Sequence, residues 1–350
     1  MKKKVSIKDI AKELGVSITT VSFVLNGLAE EKHISKALSE RVFKLTRELN
    51  YKPNQFARGL RTGKTKTIGL MVEDISNSFF STIARLIEEN AYKKGYKIIY
   101  CSTDNDTQKT KELIQMFRSR NIDGYIITPP VGIEDDIQAL LDDKLPVVLF
   151  DRYFQSISTD YVIIDNQETT YQAIKHLFQQ GYKNVAFVTL NSEQTQMSDR
   201  LNGYKMAVKE VGGAAYIKKI GFHYNKEQVI QSIMAYLNKY KKIDAIFFAT
   251  NYLAYEGLEA INRIKLTMPG DIGFMSFDDN TLFQLYKPTI SAVAQPVEEI
   301  SLKVIDLLLR KLDFPEKSTE KLVLSGKLMI RESTSLSLNE PINSQIISMV

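Results

Sequence analysis

The sequence predicts an all-α head joined to an α/β core of two lobes built on doubly wound parallel sheets, and three observations carry that prediction. Charge is unevenly placed: residues 1–66 hold 15 Lys and Arg against 6 Asp and Glu, whereas the rest of the 350 residues hold 31 against 35. Over the first 50 residues, apolar side chains recur at helical spacing. Beyond residue 66, short continuous apolar runs alternate with amphipathic segments, the order expected of parallel strands linked by right-handed helical crossovers.

The head reads as three short helices. Ser6 is the expected N-cap of IKDIAKEL, where Ile7, Ile10, Ala11 and Leu14 share one face; Gly15 ends the pattern and Ser17 opens the next helix, 17–25. Ser35 opens the third, in which Leu38, Val42, Leu45 and Leu49 keep the period. Asn54 caps a shorter helical segment, NQFARGLR, and the polar, basic TGKTKT follows as a linker.

In the core, IGLMV (68–72), YKIIYC (96–101), DGYIIT (123–128), PVVLF (146–150), KNVAFVTL (183–190), DAIFFA (244–249) and DIGFMSF (271–277) are apolar runs bounded by Gly, Pro or Asp. Strands buried on both faces have this texture. The core is too long for one compact sheet domain, so two similar lobes are expected, with residues 151–162 as the crossover between them. The expected organisation is a head at 1–53, a helix and linker at 54–66, a two-lobed core at 67–335 and a tail at 336–350.

Several classes are disfavoured. The basic N-terminus runs into an amphipathic pattern instead of an apolar signal core, no apolar run approaches the roughly 18 residues of a membrane span, and Cys101 is the single cysteine. The expectation is a cytoplasmic protein with no membrane partner. There is no glycine-rich dinucleotide or phosphate loop after a strand and no nucleophile elbow, and His33, His176 and His223 lack metal-ligand spacing. Neither catalysis nor a metal or other cofactor is expected.

The first two helices, joined at Gly15, have the spacing of a helix-turn-helix. A helical wheel gathers Thr20, Val21 and Val24 on one side and Ile18, Thr19, Ser22, Phe23 and Asn26 on the other. The first set would pack on helix one, and the second would face a DNA major groove. An ordinary helical hairpin inside a larger core has the same pattern, but the basic charge of the head favours the DNA reading.

IKDIAKELGVSITTVSFVLNG and SERVFKLTRELNYKPNQFARGLRTGKTKTIGLMVEDISNSFF resemble the opening of the lactose-repressor (LacI/GalR) family of bacterial transcription regulators. The likeness continues in order through DGYIITPP, PVVLFDR, VIIDNQE, DRLNGYK, FATNYLAYEGL, IGFMSFDD, TISAVAQPVEEI and RESTS, nearly the whole chain. It implies a helix-turn-helix head, a hinge helix at 54–61 and a two-lobed core like that of periplasmic binding proteins. It also implies a homodimer on a double-stranded, pseudo-palindromic operator, controlled by a small-molecule effector, a sugar or sugar derivative.

By that resemblance the DNA contacts are Ser17, Ile18, Thr19, Thr20, Ser22, Phe23 and Asn26 in the head and Asn54, Ala57, Arg58 and Leu60 in the hinge. Leu60 would be a minor-groove wedge, or would pack against its twin across the dimer. The implied effector contacts are Phe79, Phe80, Asp151, Asp165, Arg200, Asn251 and Asp278. Guanidinium and carboxylate groups give directional bonds to hydroxyls, and an aromatic face covers a sugar ring. Phe79 and Phe80 also fit a core role, and Arg200 with Asp278 a structural ion pair.

The chain departs from the family at three places. Phe23 stands where Arg is common, so a bidentate contact to guanine is lost and thymine methyl contact is expected instead. The connection from Asn26 to Ser35 is about three residues longer, with AEEKH supplying the length, and Tyr252 stands where an Asp often follows the Asn. Two other readings remain open: a solute-binding or sensing protein with no DNA role, and a regulator controlled by a protein partner.

Overall fold

A computed structural model of the chain describes residues 5–51, 64–336 and the backbone of 345–348. It falls into two compact units, 1–65 and 66–350. The expected hinge helix, with Asn54, Ala57, Arg58 and Leu60, lies outside the described residues.

In the first unit, α1 (Ile7–Leu14), α2 (Ile18–Leu25) and α3 (Lys36–Glu48) enclose Ile10, Ala11, Val21, Val24, Val42 and Leu45. Ser6 and Asp9 form a reciprocal cap at the start of α1. Gly15 takes a φ of 65°, a left-handed conformation that a residue without a Cβ adopts without penalty, and this turns the chain into α2. Ser17 then accepts from the backbone N–H of Thr20, which fixes where α2 begins.

The second unit holds two sheets. The first lobe runs β1 (Thr67–Val72), α4 (Ser78–Lys93), β2 (Lys97–Ser102), α5 (Thr107–Ser119), β3 (Gly124–Ile127), α6 (Glu134–Asp142), β4 (Val147–Phe150) and β5 (Asp160–Ile164). The second runs α7 (Asn166–Gln179), β6 (Val185–Leu190), α8 (Thr195–Glu210), β7 (Tyr216–Ile220), α9 (Lys226–Lys239), β8 (Ala245–Phe248), α10 (Asn251–Arg263), β9 (Gly273–Phe277), α11 (Thr281–Leu285) and β10 (Ser291–Ala294). The chain returns to the first lobe with α12 (Val297–Asp313) and β11 (Lys321–Leu324), then ends in the second with β12 (Lys327–Ile330) and β13 (Gln345–Ser348).

The six-stranded sheet has the order β11-β5-β4-β3-β1-β2 and is parallel throughout. The seven-stranded sheet has the order β13-β12-β10-β9-β8-β6-β7, and β12 runs antiparallel to both of its neighbours.

Two expectations need correction. The crossover placed at 151–162 is too early, because β5 pairs with β4 in the first sheet and the chain leaves that lobe only after Ile164. The polar start of this strand, Asp160 and Tyr161, hid it. The lobes are also joined by two further passages, before α12 and after β11, so three segments cross. The expected tail, in turn, contributes β13 to the second sheet.

The second lobe is closely packed where α7 meets α8. Gly203 lies against the backbone of α7, and a Cβ there would stand 2.2 Å from the carbonyl oxygen of Gln167. His176, on α7, is buried, and desolvation pushes its imidazole down to about 4. It is a neutral core residue, as its helix periodicity suggests. Gly203→Ala is expected to force the helices apart and cost about 1–3 kcal/mol. Urea denaturation should show a lower midpoint with an unchanged slope; an unchanged midpoint would mean that the helices have room to move apart.

Candidate functional site

The head presents a narrower face than the wheel suggests. Val21 and Val24 are buried, while Ser17, Ile18 and Thr19 are exposed and Thr20 and Phe23 are half-buried. Ser22 is a correction: it is 6% exposed, because Asn26 folds back over it and donates to its carbonyl at 2.6 Å and its hydroxyl at 3.2 Å. Both residues thus use polar groups within the helix end. The long connection after α2 turns back on the head, with Ala29 and Ile34 packed on its core and the Lys32 ammonium 5.7 Å from the centre of the Phe23 ring. The acidic stretch therefore delivers a cation beside Phe23.

The second candidate site lies between the lobes, at the carboxyl ends of the strands, where open α/β sheets place ligands. Each lobe contributes an Asp just past a central strand. Asp151 follows β4 with a φ of 68° and Asp278 follows β9 with a φ of 67°. Left-handed backbone is uncommon for residues other than glycine, and Asp is among those that tolerate it. It is the same local device in both lobes, and it turns each carboxylate inward: the two side chains are 8% and 11% exposed.

Each carboxylate has a buried guanidinium. Arg152 donates to Asp151 at 3.2 Å, to the side-chain oxygen of Asn105 at 2.9 Å and to Glu73. Arg200 donates to Asn166 at 2.8 Å and to the carbonyl of Ala249 at 2.6 Å, lies 4.0 Å from Asp278 and stacks 3.6 Å above the centre of the Phe277 ring. Gln295 donates to Asp278 at 2.6 Å. Burial raises the carboxyls of Asp151 and Asp278 above their ordinary value, and the nearby guanidiniums oppose that rise. Arg200 is lowered by the same desolvation, opposed by Asp278 and Asp151.

Polar contacts cross between the lobes. Asn77 and Asn251 exchange side-chain hydrogen bonds, both at 3.2 Å, and Gln194 donates to Asn105 at 3.3 Å. A cavity of about 520 Å³ opens beside this closure, bounded by Glu73 and Asn77 on one side and Asn251 and Tyr252 on the other.

Of the residues implied by resemblance, Asp151, Arg200, Asn251 and Asp278 come together in this cleft. Phe80 does not: it is 5% exposed in the core, edge-on to Phe150. The first turn of α4 directs it inward with Ile83 and Ile87, and Phe79 is half-buried against the same core. Asp165 caps α7, accepting from the N–H of Glu168 at 2.9 Å, and it is its neighbour Asn166 that bonds Arg200. Glu73, Asn105, Arg152, Asn166, Gln194 and Gln295 were not anticipated. For Arg152 the signal was present, next to Asp151 at the end of an apolar run.

Replacing Arg152 by Met would leave Glu73 and Asp151 buried without their cation, and the expected cost is about 3–5 kcal/mol. Urea denaturation checks this. Adding Glu73→Gln and Asp151→Asn should recover much of the loss, whereas full stability in the single variant would show that the carboxylates do not need the guanidinium.

Residues 6–54 match the family model described as bacterial regulatory proteins, lacI family, and residues 174–334 match that of a periplasmic binding protein-like domain. The ribose operon repressor of Halalkalibacterium halodurans is 30% identical over 94% of this chain and 97% of its own length. The HTH-type transcriptional regulator RegA of Clostridium saccharobutylicum is 32% identical, over 94% and 99%. Among solved structures, the lac repressor dimer bound to operator and the anti-inducer ONPF shares the fold, with a TM-score of 0.81 over 95% of this chain and 100% of that one at 21% identity. A LacI family regulator of Enterococcus faecium with bound ribose has a TM-score of 0.69 over 77% and 98%, at 27% identity.

Proposed function

Because the chain belongs to the lacI family of bacterial regulatory proteins, and so is a DNA-binding transcription regulator, we propose that it is a repressor that binds a pseudo-palindromic operator as a homodimer. Its effector in this reading is a sugar or sugar derivative held between the lobes. The observation that carries the proposal is the doubled arrangement in the cleft, two inward Asp side chains facing two buried guanidiniums, with Asn251 between the lobes. Such a set offers directional acceptors and donors to hydroxyl groups.

Ribose is the first sugar to test, since two relatives are ribose operon repressors and one structural neighbour holds ribose. A sugar that favours one arrangement of the lobes over another shifts operator affinity by that difference alone. In the head, Ile18 and Phe23 would touch thymine methyl groups, Ser17, Thr19 and Thr20 would position the helix, and Lys32 would add charge near the phosphates. Asn54, Ala57, Arg58 and the wedge Leu60 retain the hinge roles that the resemblance gives them.

In fluorescence anisotropy with a selected operator, Arg200→Ala is expected to bind DNA as the parent does without sugar and to lose the sugar response. A retained response would remove Arg200 from the effector site. Phe23→Ala should relax selection for thymine at one step of each half-site; an unchanged preference would refute the methyl contact.

A further inference from the structure

The connection between α2 and α3 is firmly held. The backbone N–H of Leu28 donates to the Phe23 carbonyl at 2.9 Å, that of Lys32 to Leu28 at 3.0 Å, that of His33 to Glu30 at 3.0 Å and that of Ile34 to Ala29 at 2.8 Å. Ala29 and Ile34 pack on the head core, which anchors the turn on both sides of the exposed Glu30, Glu31 and Lys32.

Within this turn the Glu31 carboxylate and the Lys32 ammonium are paired at 2.8 Å, with side chains 64% and 42% exposed. The same ammonium stands 5.7 Å from the centre of the Phe23 ring, in range of a cation–π attraction. An exposed ion pair contributes little to stability, so folding of the head does not account for it. Beside DNA phosphates a carboxylate is repelled unless it meets a donor.

With Phe23 touching a thymine methyl group, an ammonium 5.7 Å from its ring lies within about two base-pair steps of that contact, at about 3.4 Å per step. In the major groove guanine presents two adjacent acceptors, O6 and N7, and its cytosine presents the N4 amino donor. An ammonium joined to a carboxylate is complementary, with donors beside an acceptor. In the same placement an A·T pair turns the adenine N6 amino group toward the ammonium and thymine O4 toward the carboxylate.

We propose that Glu31 and Lys32 together read one G·C pair in each half-site, Lys32 donating to guanine O6 and N7 and Glu31 accepting from cytosine N4. This inference rests on the reading of α2 as the recognition helix with Phe23 at a thymine. It gives Lys32 a base contact beyond its charge near the phosphates.

The test is selection of operators from random duplexes by the full-length protein and its Phe23→Ala, Lys32→Met and Glu31→Met variants, followed by fluorescence anisotropy at several salt concentrations. The parent pool is expected to hold an invariant G·C pair within about two steps of the thymine that Phe23→Ala relaxes, and both other variants should lose it. Exchanging that pair for A·T should weaken the parent about tenfold or more, and Lys32→Met or Glu31→Met should bring the ratio toward one. Glu31→Met should also bind random duplex more tightly than the parent, because a negative charge has left the surface. If Lys32→Met weakens all sequences equally and lowers the slope of log affinity against log salt by about 0.9, Lys32 is a phosphate contact only and the proposal is overturned. An invariant thymine with no G·C pair nearby, or with A·T in its place, would overturn the proposal and leave the Phe23 reading standing. A G·C preference that survives Lys32→Met or Glu31→Met would remove that residue from the contact, and a parent pool with no selected sequence would overturn both readings.

Discussion

A guanidinium withdrawn from water must have its donors answered, and the way Arg200 is answered organises the second lobe. Its nitrogens reach Asn166 at the start of α7 and Ala249 at the end of β8, its plane lies on Phe277 at the end of β9, and Asp278 balances its charge. Separate segments are thereby held at one point. Removing any acceptor would leave a buried charge unsatisfied, which costs more than the pair contributes over an apolar substitute. The same logic operates around Arg152 in the first lobe, where Glu73, Asn105 and Asp151 come from the ends of different strands. Buried charge of this kind is weak support for stability but strongly constrains geometry.

That constraint bears on function because some of the same groups face the other lobe. Asn105 accepts from both Arg152 and Gln194, and Asn251 bonds Asn77 across the cleft. A ligand with several hydroxyls can take over such contacts, so the cost of separating the lobes depends on what lies between them. The head is built on different terms. Its core is a small set of aliphatic side chains, and its outward face is set by where Ser17 and Gly15 start and stop helices. The connection after α2 folds back so that the Lys32 ammonium lies beside the Phe23 ring.

Much of this was legible in the sequence, and the rest has identifiable physical causes. The strands buried on both faces, such as β1, β6 and β9, announce themselves as apolar runs. Among those missed, β7 reads YIKKI, with its three central positions half-buried or exposed, and β11 reads KLVL, with exposed and half-buried positions alternating. Asp151, Arg200, Asn251 and Asp278 are nominated by the family resemblance, and the structure brings their side chains together in one cleft. Glu73, Asn105 and Gln194 were not, because their meaning depends on segments far apart in the chain coming together. Ser22 was assigned outward because a helical wheel does not contain the side chain of Asn26 folding over it.

The central claim is that occupancy of the cleft and binding of operator are coupled. Equilibrium linkage makes that claim quantitative: the factor by which a sugar changes operator affinity must equal the factor by which operator changes sugar affinity. Both can be measured on the full-length protein, by anisotropy of labelled operator with and without saturating sugar and by calorimetric titration of sugar with and without saturating operator. The account predicts two equal factors, both different from one. A sugar that binds the free and the operator-bound protein equally well, while operator affinity stays constant, would contradict it.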